Sequence, residues 1–475
     1  MPSGQDQIGL PVAIIGGGPV GLAAAAHLIA RQIPVKLYEA GDAVAANVRD
    51  WGHVRLFSPW RYNIDEMAKS ILFDHGWREP PVEVLPTGRE LYDAYLKPLA
   101  ATPEIAAITE TGARVESISR QGIDKVVSRD RVRHPFILAV TTAGGTTRID
   151  LARAVIDASG TWRNPNPLGA SGVRVPGEAN LHREISYGVP DVLGRDHAEY
   201  AGRRVLVIGG GHSAANVVLD LAQLAAQNAA TRIVWAVRSQ SLTRIFGGGD
   251  ADKLPARGKL GSDLKRLVDG GSLVVITGFS AERIERTAEG IVATGRTQSG
   301  TLPLQPVDRV IVSTGQRPDL DMTRELRLDL DPWLESPRGL APAIDPNVHS
   351  CGTVPPHGYR ELSHAEPDFF IVGIKSYGRA PTFLMATGYE QIRSVTAYLA
   401  GDQAAANDVR LVLPETGVCS ADFGGIEKTE AGCCGGPALE TVDACCVADA
   451  EMKAEGKAGC GCGPTAAPAV ADANR

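Results

Sequence analysis

Val12-Ala13-Ile14-Ile15-Gly16-Gly17-Gly18-Pro19-Val20-Gly21 decides the fold, and Val205-Leu206-Val207-Ile208-Gly209-Gly210-Gly211-His212-Ser213-Ala214 repeats the pattern further along the chain. Each stretch is a short apolar run that enters a glycine turn and continues as a helix-forming segment, the setting that makes G-x-G-x-x-G/A credible. The first glycine (Gly16, Gly209) permits the tight turn. The second (Gly18, Gly211) lets backbone approach a pyrophosphate, and the third position (Gly21, Ala214) keeps helix and strand close. The N–H groups and dipole of the helix that starts at Pro19, or at His212-Ser213, then face the phosphates. Two such loops in one chain imply two nucleotides brought together for electron transfer.

Around the first loop, strand 12–15, helix 19–31 and strand 34–38 form one βαβ unit ending at Glu39. Residues 51–66 read as an aromatic-rich irregular loop, and a helix is expected near 88–101. Alternating runs near 112–119, 123–128 and 136–142 suggest a small antiparallel meander, after which Val155-Ile156-Asp157-Ala158-Ser159-Gly160 reads as a buried strand entering a glycine turn. The Pro/Gly-rich segment 161–200 is expected to be a crossing linker. Around the second loop come strand 203–208, helix 213–227 and strand 231–237, and the chain returns through Val307–Gly315, a strand and small-residue turn like Asp157–Gly160. Strand 369–373 and helix 382–400 close the body. The expected fold is therefore α/β. Two Rossmann-like dinucleotide-binding domains are predicted, the second (166–309, with the linker 161–200) inserted into a discontinuous first (1–165 and 310–403). A flexible Cys-rich tail, 404–475, follows, with at most one short helix near 447–457.

At 475 residues there is room for roughly three domains. A net charge of −7 gives no reason to expect nucleic acid or an anionic membrane as partner. The apolar segment 10–30 resembles a signal peptide or a membrane span only superficially, since the run Gly16-Gly17-Gly18-Pro19 interrupts it and no basic region precedes it. A cytoplasmic enzyme acting on a small molecule is expected. Leu413-Pro414-Glu415-Thr416-Gly417 matches a cell-wall sorting signal but lacks the apolar stretch and basic tail that must follow.

The residues that end the second strand of each unit separate the nucleotides. Glu39 supplies a carboxylate for an adenosine ribose, which suits FAD or NAD. Arg238-Ser239 supplies a guanidinium and a hydroxyl for a 2′-phosphate, which favours NADP over NAD.

Together, the N-terminal fingerprint, Asp157-Ala158-Ser159-Gly160, the G-x-G-x-x-A unit ending in Arg238, and Ser313-Thr314-Gly315-Gln316-Arg317-Pro318 resemble the two-dinucleotide flavoprotein superfamily over about residues 10–400. The Trp51–Trp60 loop and the Asp157–Gly160 turn bring the chain closer to flavin-containing monooxygenases than to disulfide reductases. The resemblance implies FAD at the first loop, with Ala40, Arg55, Ala158, Ser159, Gly160, Gly373, Lys375 and Thr382 beside it. It implies NADPH at the second, with Thr314, Gly315 and Arg317 at the returning turn. Lys375 and Arg379 are candidate cations for reduced flavin, and the helix near Thr382-Phe383 is a candidate counter-charge at its N-terminus. Two departures stand out: no aromatic-glycine-histidine signature precedes the second loop, and the usual Gly-Asp at the last flavin strand is replaced by Val372-Gly373-Ile374-Lys375.

Eight cysteines are distributed unevenly: Cys351 in the body, then Cys419, Cys433-Cys434, Cys445-Cys446 and Cys460-Gly461-Cys462 in the tail. Neither nucleotide domain carries a cysteine pair to stack on a flavin, so oxygen or a small diffusible molecule is the expected electron acceptor. A flavin hydroperoxide would then oxygenate sulfur, nitrogen or trivalent arsenic. His212, His349, His357 and His364 are available as proton donors, but each fits a loop or packing role as well, and no catalytic side chain is assigned. Adjacent cysteines have Cα atoms about 3.8 Å apart, too close for ordinary disulfides. Cys433, Cys434, Cys445, Cys446, Cys460 and Cys462 therefore read as ligands for a thiophilic metal or metalloid. Such a tail on such a body resembles flavoproteins encoded beside arsenic-resistance genes. A reductase of thiol-bound metal or disulfide is the alternative enzyme, and a metal-binding or redox-sensing flavoprotein the alternative from another class. A homodimer is the expected assembly.

Overall fold

Five parallel strands are joined in the order Phe369–Ile371, Ala154–Asp157, Val12–Ile15, Val35–Glu39, Thr109–Thr111, with the glycine-loop strand at the centre. The computed structural model describes residues 9–247, 255–347, 354–380 and 383–411. Val12–Ile15 and Ala154–Asp157 are buried along their whole length, as parallel strands covered on both faces must be. Pro19–Ala30 starts with proline in its first turn and is buried from Val20 to Leu28, so it is apolar on every side. It lies between the sheet and the helix Met385–Leu399, where Gly388 allows close approach to Val20.

The second sheet repeats the plan: Val274–Ile276, Arg232–Ala236, Arg204–Ile208, Arg309–Val312 and Ile185–Tyr187, all parallel. Its helix His212–Gln227 buries Ala214, Ala215, Val217, Val218, Leu221 and Leu224, the one-sided spacing of a helix on a sheet. Each sheet is accompanied by a three-stranded antiparallel meander: Ala113–Arg120, Phe136–Thr142 and Thr147–Ala152 for the first, Ser280–Thr287, Gly290–Thr297 and Gly300–Pro303 for the second. Because Phe369–Ile371 returns to the first sheet after the second is complete, the second nucleotide unit is inserted into the first.

Three expectations need correction. The run 123–128 is not a strand: Asp124 Oδ1 accepts from Val126 N in a tight turn, and Val126 stands 83% exposed. The meander instead takes its third strand from Thr147–Ala152. Segment 161–200 is more than a linker, since Ile185–Tyr187 forms the edge of the second sheet. The last helix begins at Met385 rather than 382.

Two chain segments cross between the sheets side by side. Asn166 N donates to Gly315 O at 2.9 Å, Asn166 Nδ2 to Thr314 O at 3.0 Å, and Arg317 N to Asn164 O at 3.1 Å. The first domain's loop also reaches the second, where Phe57 meets His212 edge-on at 5.2 Å between ring centroids; Asp50 accepts from Trp162 Nε1 and pairs with Arg163 at the start of the crossing segment. Among the described residues no helix is long and apolar enough to cross a membrane.

Candidate dinucleotide sites

The first phosphate loop is shaped by what lies beneath it. Gly16 has φ +100°, and a Cβ there would come within 2.7 Å of Ala158 O, so only glycine fits. A side chain at Gly21 would collide with Gly16 O, whereas nothing lies within 4 Å of one placed on Gly18. The loop is thus tight below and open above. No side chain caps the helix Pro19–Ala30 at Gly18, which leaves its N-terminus to a ligand. Glu39 is oriented by two backbone donors, Gly17 N to Oε2 at 2.8 Å and Gly41 N to Oε1 at 2.7 Å. A carboxylate has about four lone-pair sites, so acceptor capacity remains for ribose hydroxyls. Ala40, next in the chain, is exposed.

The second loop has the same build. Gly209 (φ +144°) abuts the Ser313 carbonyl, Gly211 has open space above it, Ala214 is buried, and no side chain caps the helix His212–Gln227 at Gly211. Trp235 Nε1 donates to Gly209 O at 2.8 Å from full burial, bracing the turn. Arg238 is exposed at the expected strand end; its Nη1 reaches Ala170 O at 3.4 Å. Ser239 Oγ donates to Ser241 O at 2.7 Å. These features fit a pyrophosphate at each loop and a 2′-phosphate at the second.

Other expected site residues are placed differently. Lys375 does not offer its charge to a ligand: it is 1% exposed, and its Nζ lies 2.7 Å from Asp157 Oδ2 and 3.0 Å from Ser159 Oγ. Ser159 Oγ in turn donates to Asp157 Oδ1 at 2.6 Å, so both side chains point into the protein. Thr314 donates to Asn166 O and Arg317 to Gly172 O, which makes them parts of the crossing strands. Arg55 is exposed and donates to Leu85 O at 2.5 Å. Gly160 (φ +71°) and Gly373 (φ +68°) lie in the turns after two neighbouring strands of the first sheet, Ala154–Asp157, which flanks the loop strand, and Phe369–Ile371, one strand further out. Thr382, Cys351, His349 and the tail beyond residue 411, including Cys433, Cys434, Cys445, Cys446, Cys460, Cys462 and the helix expected at 447–457, lie outside the described residues; at the tail's start, expected to be flexible, Gln403–Asn407 is instead a helix held on the body, Arg393 Nη1 donating to Ala405 O at 2.9 Å. Among the described residues no group of His, Cys, Asp or Glu is arranged to hold a metal.

A network that sequence reasoning missed supports Gly373. Gln391 Oε1 accepts from Gly373 N at 2.8 Å, while Gln391 Nε2 donates to Ser376 Oγ at 2.9 Å and to His357 Nε2 at 3.0 Å. His357 Nδ1 then donates to Pro355 O, so the ring is neutral; burial holds its pKa below the ordinary value. His364 is likewise pushed down by burial, its Nδ1 held at Asp329. Both histidines are packing residues. The only sequence hint was the chance of reading Gln391 on the buried face of its helix.

Two open phosphate cradles on inserted, duplicated parallel sheets define a two-dinucleotide flavoprotein. Residues 13–338 match the model of the pyridine nucleotide-disulphide oxidoreductases, and the chain belongs to that family. A curated relative, an indole-3-pyruvate monooxygenase from Oryza sativa subsp. japonica, is 29% identical over 215 residues; the match spans 44% of this chain and 44% of that protein. Among solved structures, a bacillithiol disulfide reductase from Bacillus cereus superposes with TM-score 0.60 at 19% identity, covering 82% of this chain and 99% of that one. The FAD-bound cadaverine monooxygenase of desferrioxamine biosynthesis from Erwinia amylovora superposes with TM-score 0.59 at 12% identity, covering 86% and 98%. At these identities the two superpositions establish the fold, which reductases and monooxygenases share.

Proposed function

We propose that this chain is an FAD-containing, NADPH-dependent monooxygenase that oxygenates a small soft nucleophile, sulfur, nitrogen or trivalent arsenic. The supporting observation is the pairing of two open dinucleotide cradles with nucleotide domains that hold no cysteine pair. The flavin would take a hydride from NADPH and pass the electrons to oxygen. The chain's own residues bind and orient. The loop Gly16–Gly18 and the N-terminus of Pro19–Ala30 take the FAD pyrophosphate, and Glu39 takes its ribose. Gly209–Gly211, Ser213, Arg238 and Ser239 take NADPH. The crossing segments at Asn164–Asn166 and Thr314–Arg317 set the approach of one domain to the other. Domains of about 1–165 with 310–403, 166–309, and 404–475 accompany this assignment, with the second carried on to Val312, whose strand belongs to the second sheet, and the tail starting after the helix Gln403–Asn407.

The tail cysteines are assigned to capture of a thiophilic metal or metalloid, in a cytoplasmic protein. Arsenite is the substrate this combination favours, because trivalent arsenic is both thiol-seeking and oxidisable. The adjacent thiols, and the family's disulphide chemistry, support one rival, a reductase of thiol-bound metal or disulfide. Oxygen separates the two. Product formation by the monooxygenase requires oxygen and incorporates one of its atoms; turnover of a disulfide or thiol-bound metal with NADPH under argon would establish the reductase.

A further inference from the structure

The last flavin strand of this chain lacks the acidic residue that the resemblance leads one to expect after Gly373; Ile374 stands there, and it packs over Gly160. A carboxylate is present nearby, but beneath the surface. Asp157 ends the strand next to the central one and is fully buried. Its Oδ2 pairs with Lys375 Nζ at 2.7 Å, and its Oδ1 accepts from Ser159 Oγ at 2.6 Å and Ser159 N at 3.1 Å. Ser159 Oγ also accepts from Lys375 Nζ at 3.0 Å, closing a three-membered ring of contacts. The ring ties two turns from distant parts of the chain. One, Ala158–Gly160, lies directly under Gly16 of the phosphate loop; the other, Gly373–Tyr377, is anchored on its far side by Gln391.

We propose that Asp157, Lys375 and Ser159 form a buried positioning triad, which locks these two turns into one floor beneath the flavin and keeps that floor electrically neutral. A buried ion pair contributes little net stability, because desolvation offsets its attraction. Its consequences here are orientation and charge balance. Removing one partner leaves the other's charge in a low-dielectric region, where it acts over distance on any bound group that changes charge. The proposal rests on FAD occupying the first loop. His364 is a further titratable group close enough to feel Asp157.

The test uses the full-length protein and the variants D157N, K375M, K375R and D157N/K375M. FAD affinity is measured by titrating the apoprotein, and the flavin midpoint potential by dye-coupled reduction at pH 8. K375M should lower the potential, because an unpaired carboxylate disfavours an anionic reduced flavin, and should weaken FAD binding about tenfold or more. D157N should raise the potential. K375R should stay near wild type, and the double variant, which buries no unpaired charge, should return toward it. Where an orphaned group neutralises itself, the potential acquires a new pH-dependent step instead. Should K375M fail to fold, D157N and the double variant still decide the sign. Equal shifts of one sign in both single variants, or potentials unchanged with no new ionisation, would overturn the triad. A wild-type apoprotein that binds no FAD would instead defeat the cofactor assignment itself.

Discussion

Arg238 offers the sharpest test of the nucleotide assignment. Its guanidinium is exposed and reaches one carbonyl, Ala170 O, at the long distance of 3.4 Å. R238A therefore removes little from the folded protein; a surface change of this kind stays within about 0.5 kcal/mol. Against a 2′-phosphate the same group would make charge-assisted hydrogen bonds worth about 1.5–3 kcal/mol. At 1.4 kcal/mol per tenfold, NADPH binding should weaken roughly 10- to 150-fold. NADH lacks the phosphate and should bind as before. R238E adds like-charge repulsion and should invert the preference. The assay is anaerobic stopped-flow reduction of the flavin over a range of each nucleotide, which separates the dissociation constant from the hydride-transfer rate. Equal weakening of NADPH and NADH, or no change in either, would refute the placement of the 2′-phosphate at Arg238.

Three further outcomes follow from buried or half-buried polar groups. Glu366 is fully buried between Arg120 and Arg131; burial alone would raise its pKa, but the hydrogen bonds from the two arginines outweigh it and hold the carboxyl below its usual range. E366Q removes the counter-charge that the two guanidiniums share and should cost about 3–5 kcal/mol in urea denaturation at pH 7. Asp220 is pushed up to about 6 by burial and then by the charge of Asp191. Its folded form keeps a proton that the unfolded chain releases near pH ~4, so stability falls as pH rises from there to about 6 and the loss is complete above. D220N should thus raise the melting temperature at pH 8, by an amount equivalent to about 2–3 kcal/mol, and change little at pH 4; a gain at pH 4 as large as at pH 8 would contradict the sign. Q391L strips Gly373 N, Ser376 and His357 of a shared partner and should destabilise the protein by about 2–4 kcal/mol, with FAD retention falling before the fold does.

Much of this architecture is legible in the sequence because glycine turns carry position-specific demands. Gly16, Gly21 and Gly209 each sit where a side chain would strike backbone, so the motif reports geometry directly. The strands next to them are continuous aliphatic runs, which announce burial on both faces. The second meander and the helix Pro255–Asp269 were not legible: Ser280–Thr287 presents Glu282, Arg283, Glu285 and Arg286 to solvent and buries only Ala281 and Ile284, a pattern too sparse to declare a strand. The edge strand Ile185–Tyr187 is three residues long inside a proline- and glycine-rich segment and gains its identity only by pairing with Arg309–Val312. Lys375 shows the limit for site residues. A lysine after Gly373 reads as a cation beside the flavin, and only the fold brings Asp157 to it from more than two hundred positions away in sequence. Ser159 and Thr314 are similar: small hydroxyls in turns that a motif marks as ligand contacts, whose hydroxyls the structure directs at protein partners.

Reduction of the flavin by NADPH and its reoxidation by oxygen, with transfer of an oxygen atom to a soft nucleophile, can be followed with isotopically labelled dioxygen. The FAD-loaded full-length protein is reduced anaerobically with one equivalent of NADPH, then mixed with labelled oxygen and arsenite or a small sulfide, and the product is weighed by mass spectrometry. The monooxygenase assignment requires loss of the oxidised flavin spectrum before oxygen is admitted, and one labelled oxygen atom in the product. Unlabelled product, or full turnover of a disulfide or thiol-bound metal without oxygen, would contradict it.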